Sequence, residues 1–188
     1  HAATVIAEGE VLQLGTAQNL DTTQDEYMEV VRAKTAALFA AAAEVGPILA
    51  GAPKPAISAF RSYGNNLGLA FQLIDDALDY GGSSKALGKN TGDDFREGKV
   101  TLPVLLCFRR GSEKERTFWR EAIERGQTDD SRLEEAMRLM REHNALEDTL
   151  ARARQFCELA QDALATFEDG DHKQALIEVL EYSLMRAS

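Results

Sequence analysis

Apolar residues recur along this chain every three to four positions, and the two-residue alternation of a half-buried strand is nearly absent. Residues 1–18 read as a helix carrying Val5, Ile6, Val11, Leu12 and Leu14. A second helix is predicted from Asp25 to Val45, stopping at Gly46-Pro47. Pro55 opens a third, since proline suits the first helical turn. It continues to Tyr80 and ends at Gly81-Gly82. Residues 81–100, with glycines at 81, 82, 88, 92 and 98 and no apolar period, read as a long loop with at most one helical turn. Thr101-Leu102-Pro103 starts a short helix ending near Arg110-Gly111, and Ser112 with Glu115 has capping-box spacing for the next. Leu133, Ala136, Met137 and Met140 mark another amphipathic helix. Leu146, Leu150, Ala153, Cys157, Ala160, Leu164 and Phe167 form one continuous helix face. Asp171 is read as the cap of a last helix through Leu176, Val179, Leu180 and Leu184. The expected fold class is all-α, a helical bundle.

The chain has 188 residues, within the range of one domain. Its 31 acidic and 21 basic residues leave a net charge of −10, with no basic cluster able to displace counterions from nucleic-acid phosphates. No apolar run is long enough for a transmembrane helix. Cys107 and Cys157 sit inside helical patterns without CxxC spacing and read as buried thiols in a reducing compartment. The chain starts at His1, within an apolar helical pattern, and reads as a fragment, a processed chain or a partly observed one.

The chemistry concentrates in GNNLGLAFQLIDDALDY, residues 64–80. Gln72, Asp75, Asp76 and Asp79 follow the spacing i, i+3, i+4, i+7 and share one stripe of a helix that is otherwise apolar. Burying unpaired carboxylates is costly, so a positive partner is expected beside them. Oxygen donors without nearby His or Cys favour Mg²⁺, or Mn²⁺, over zinc. The carboxylates are therefore expected to point into a central cavity; the alternative is a solvent-facing stripe.

The loop GGSSKALGKNTGDDFREGKVTLP follows directly, carrying Lys85, Lys89 and Lys99 among its glycines. A metal on carboxylates beside these lysines suits a diphosphate, whose oxygens complete the octahedron. A nucleotide P-loop is excluded: the glycine spacing is wrong, Asn90 stands where Ser or Thr is needed, and no strand precedes it. The alternative is a plain flexible loop, and the segment is expected to be the most mobile part of the chain without ligand. In the second helix, Lys34 has no acidic residue near it between Val30 and Ala43, so its ammonium is expected to meet a diphosphate or the aspartate stripe, or else to snorkel to solvent. The run of alanines at 36, 37 and 40–43 allows either close helix packing or space for a channel.

In order and spacing, GEVLQL at 9–14, KTAALF at 34–39, FQLIDDALDY at 71–80 and LGKNTGDDFREGKVTLP at 87–103 resemble the trans-isoprenyl (polyprenyl) diphosphate synthase family, most of all its long-chain octaprenyl and decaprenyl branch. The resemblance covers essentially the whole chain, as the C-terminal part (1–188) of a single all-α domain built around a deep apolar cavity. It implies a prenyltransferase that elongates an allylic isoprenoid diphosphate with isopentenyl diphosphate, to a long all-trans product for quinone side chains. A short-chain farnesyl or geranylgeranyl synthase and a non-catalytic subunit of a heteromeric synthase are the alternatives. Asp75, Asp76 and Asp79 match the second aspartate-rich motif, which holds Mg²⁺ on the allylic diphosphate. Lys34, Thr35, Gln72 and Lys89 match positions around that diphosphate, and Lys99 the second lysine of the loop. The catalytic set implied is Asp75, Asp76, Lys34 and Lys89. The family's first aspartate-rich motif and isopentenyl diphosphate site have no match here and are expected before His1, so this chain alone is expected to be inactive. A cytoplasmic homodimer is implied as well.

Overall fold

The computed structural model describes residues 2–81 and 91–186, all helices and connections, with no strand among them. Helix α1 spans Ala2–Thr16. Helix α2, Gln24–Val31, passes through a π-helical segment, Arg32–Ala36, into α3, Ala37–Leu49. Then follow α4 (Lys54–Gly81), the single turn α5 (Asp93–Arg96), α6 (Leu102–Arg110), and α7 (Glu113–Trp119) with its π-helical extension Arg120–Glu124. Helices α8 (Asp130–Glu142), α9 (Ala145–Ala163) and α10 (Asp171–Met185) complete the bundle. No described helix is long and apolar enough to cross a membrane.

The longest helix, α4, is the axis of the core and packs against α3 on one side and α9 on the other. Leu69, Leu73, Ile74 and Tyr80 on it are essentially fully buried, beside Leu102, Leu105, Leu139 and Met140. The approach of α3 depends on small residues. A Cβ on Gly68 would lie 2.6 Å from Ala36 Cα, and one on Gly64 2.7 Å from Ala43 Cβ, so the alanines at 36 and 43 serve close helix packing. Ala42 and Ala43 also line an open apolar groove with Leu38, Phe60, Leu67 and Val179. On α1, Gly9 meets the π-helical segment so closely that a Cβ there would lie 2.5 Å from the Lys34 backbone nitrogen. The apolar residues Val11, Leu12 and Leu14 of the same helix face outward.

Thr23 and Ser112 each close a full capping box, with Glu26 and Glu115 respectively. Three sequence expectations are corrected. The second helix does not stop at Gly46-Pro47 but runs to Leu49. Pro47 forgoes the bond to the Ala43 carbonyl and crowds it, yet the helix continues past it, and the Ala50 and Ala52 amides close the terminus on the Gly46 and Pro47 carbonyls. Helix α9 ends at Ala163, so Phe167 lies beyond it, although its ring still packs edge-on against Phe60. Asp171 is the first residue of α10, not its cap; Gly170 holds the cap position.

Candidate active site

The π-helical segment and the middle of α4 face each other across a cavity of about 270 Å³. Its walls include Gln13 of α1, Tyr27 of α2, Lys34 and Thr35, then Gln72, Asp75 and Asp76 of α4, and Asp94, Lys99 and Thr101 from the segment after α4. A π-helical turn widens the backbone locally and is frequent at functional sites; here it carries Lys34 and Thr35.

A line of hydrogen bonds crosses the cavity wall. The Thr35 hydroxyl donates to Gln72 Oε1 at 2.9 Å, and Gln72 Nε2 donates to Asp76 Oδ1 at 2.8 Å. The Tyr27 hydroxyl donates to Asp76 Oδ2. Asp76 is only 3% exposed. Burial pushes its carboxyl up to about 7; the bonds from Tyr27 and Gln72 pull against that, and the charges of Asp94 and Asp75 add to it.

Asp79 behaves differently from its neighbours. Its two oxygens accept the backbone N–H groups of Asp93 and Asp94, at 3.2 and 3.1 Å, and its own carbonyl accepts the Gly92 N–H at 2.7 Å. Asp79 therefore anchors the start of α5, which brings Asp94 to the cavity, and is not itself among the residues lining it. Its carboxyl is pushed up to about 6 by burial and Asp94, against those two amide bonds. The expectation that all three carboxylates enter the cavity is corrected to two, Asp75 and Asp76, with Asp94 joining them.

Lys34 is corrected too. It is half-buried and paired, its ammonium donating to Gln13 Oε1 at 2.6 Å and lying 3.2 Å from Glu10 Oε1. The local sequence around Lys34 holds no acid, but α1 supplies one across Gly9. Lys99 lies 2.8 Å from Asp94 Oδ1 and 2.7 Å from Glu97 Oε2. Burial would lower its affinity for a proton, but these two carboxylates more than offset that and hold the ammonium above its ordinary range. Lys85 and Lys89 lie outside the described residues, as does most of the glycine-rich loop and the mobility expected of it.

Sequence reasoning gave no role to Tyr27, Asp94, Gln13 or Arg186. The Arg186 guanidinium sits 5.3 Å over the Phe71 ring and 4.0 Å from Asp75 Oδ1. Gln13 and Asp94 lie inside the family-like segments GEVLQL and LGKNTGDDFREGKVTLP, which is a signal in the sequence; Tyr27 and Arg186 reach the site only through tertiary packing.

Among the described residues, no three His, Cys, Asp or Glu side chains converge to hold an ion by themselves. Mg²⁺ does not require that: it is commonly bound by one or two carboxylates, with substrate phosphates and water completing its shell. Asp75 and Asp76, all-oxygen donors with one deeply buried, fit such an ion.

The raised carboxyls have a measurable consequence. Unfolded, Asp76 and Asp79 would titrate near ~4. Folded, they hold their protons up to about 7 and about 6. Their contribution to stability is full below the unfolded value and is lost as pH rises through the folded values. In chelator, the melting temperature is expected to fall between pH 5 and pH 8, and Mg²⁺ with pyrophosphate to restore it at pH 8. A melting temperature that rises across that window in chelator would contradict the burial of these groups.

A family model described as polyprenyl synthetase matches residues 1–140. The octaprenyl diphosphate synthase of Haemophilus influenzae is 41% identical over 185 residues, covering 98% of this chain and 56% of that protein. Two solved structures superpose closely. A decaprenyl diphosphate synthase from Rhodobacter capsulatus has a TM-score of 0.93 at 51% identity, over 100% of this chain and 57% of the other. A polyprenyl synthase from Caulobacter crescentus CB15, complexed with calcium and isoprenyl diphosphate, has a TM-score of 0.95 at 48% identity, again over 100% and 57%. The chain thus spans little more than half the length of the relatives it matches.

Proposed function

The chain belongs to the polyprenyl synthetase family, and from that premise we propose that it is the C-terminal part of one all-α domain of a trans-polyprenyl diphosphate synthase. The whole protein would extend an allylic prenyl diphosphate with isopentenyl diphosphate. The observation that carries this reading is the meeting, in one cavity, of the Asp75–Asp76 carboxylates with Lys34, Thr35, Gln72 and Lys99. That is an all-oxygen metal face opposite cationic and hydroxyl donors, at the scale of a diphosphate.

Asp75 and Asp76 would hold Mg²⁺, or Mn²⁺, on the diphosphate. The bound ion supplies neutralisation of charge on the leaving group. Lys34, released from Glu10 and Gln13 by a stronger anion, would donate to diphosphate oxygens. Thr35 and Gln72 orient Asp76 from one side. Lys99 acts at longer range, since Asp94 and Glu97 already hold it, and Lys89 is assigned to the diphosphate on the motif alone. Asp79 supports the site through the 92–94 backbone.

The similarity to octaprenyl and decaprenyl synthases supports a long product, for quinone side chains. The family resemblance implies a homodimer, and the two free, buried cysteines suit the cytoplasm. The test is to incubate the full-length protein with farnesyl diphosphate, labelled isopentenyl diphosphate and Mg²⁺, then size the dephosphorylated product. An octaprenyl to decaprenyl product is expected. Arrest at geranylgeranyl would refute the long-chain assignment, and no elongation at all would refute the synthase.

A further inference from the structure

Resting on the diphosphate–metal reading above, we propose that Tyr27 is a positioning residue of this site: its phenol fixes the Asp76 carboxylate so that the remaining oxygen lone pairs face the metal and diphosphate. Each Asp76 oxygen accepts one described hydrogen bond from a side chain, Oδ1 from Gln72 and Oδ2 from Tyr27. A carboxylate oxygen can accept about two hydrogen bonds, so each retains capacity for a ligand.

The two donors are not equivalent. Gln72 stands one turn before Asp76 on α4 and moves with it. Tyr27 comes from α2, where it is 6% exposed and packed in the core with Met28 and Val31. Its hydroxyl is the fixed point outside α4 against which the carboxylate is set. The other end of the Gln72–Asp76 pair is held by Thr35, which lies on the same continuous helical run as Tyr27. One run therefore grips the pair at both ends. The terminal torsion of an aspartate is broad when nothing fixes it, so removing the phenol oxygen would let the carboxylate rotate within its pocket.

Outer-shell partners of metal-binding carboxylates govern affinity: removing one commonly costs about 10–100-fold. The experiment is a Mg²⁺ titration of thermal stability, in the presence of inorganic pyrophosphate, on the full-length protein. It compares wild type, Tyr27→Phe and Tyr63→Phe. The last deletes an equivalent hydroxyl whose bond, to the Leu176 carbonyl at 2.9 Å, is remote from the cavity. Tyr27→Phe is expected to raise the Mg²⁺ concentration for half-maximal stabilisation about tenfold or more. The Mg²⁺ half-saturation of turnover should move with it. Tyr63→Phe is expected to lower the melting temperature without moving the Mg²⁺ half-point. An unmoved half-point in Tyr27→Phe, beside a normal wild-type response, overturns the role of Tyr27 alone. A wild type with no Mg²⁺ response overturns the metal reading and this inference with it.

Discussion

Asp76→Asn in the full-length protein is expected to lower turnover about a thousandfold, roughly 4 kcal/mol of barrier at ~1.4 kcal/mol per decade. Asp76 is the most deeply buried carboxylate of the cavity and is held on both oxygens, so its loss removes a charge already in place for the metal. The amide should fold well, because the Tyr27 hydroxyl can turn to accept from it. In chelator at pH 8 the variant is expected to melt no lower than wild type, since it no longer ionises in a buried position. Loss of turnover without loss of stability separates a site role from a packing role. Asp75→Ala is expected to follow the same direction, and Lys99→Ala to cost much less, because Asp94 and Glu97 already share its charge. Near-wild-type turnover in Asp76→Asn would contradict the assignment.

The second large effect is on stability. Gly68→Val places a branched side chain where even a Cβ would stand 2.6 Å from Ala36 Cα. That contact is backbone, not the flexible end of a side chain, so the π-helical segment and α4 must separate. Overpacking of this kind costs about 3 kcal/mol, which for a chain of this size lowers the melting temperature by roughly 10 °C. Because Ala36 adjoins Thr35, the Thr35–Gln72 bond should be lost as well, and turnover should fall with stability. A variant that melts like wild type would show that the two helices do not approach as closely as described.

Much of this architecture was legible in the residue pattern because its causes are local. The stripe Gln72–Asp75–Asp76–Asp79 follows from helical spacing, and the Ser112–Glu115 box from cap chemistry. Pro47 is a local helix breaker, but the packing of α3 along α4 carries the helix past it, which the local pattern does not state. The sequence around Lys34 shows no partner because its acid, Glu10, is distant along the chain and near only once Gly9 lets α1 close in. Asp79 shares the stripe with Asp76, yet the chain turns back over it, and its oxygens meet the amides of Asp93 and Asp94. Tyr27 carried no signal at all, since a buried tyrosine in an amphipathic helix is ordinary until a carboxylate is found at its hydroxyl.

The most direct test of the central claim is calorimetric titration of farnesyl diphosphate into the full-length protein, with Mg²⁺ and with chelator. Binding is expected in Mg²⁺, to be largely lost in chelator, and to be similarly weak in Asp76→Asn even with Mg²⁺. Equal affinity with and without the metal, or unchanged Mg²⁺-dependent binding in Asp76→Asn, would contradict a metal–diphosphate site built on the Asp75–Asp76 face.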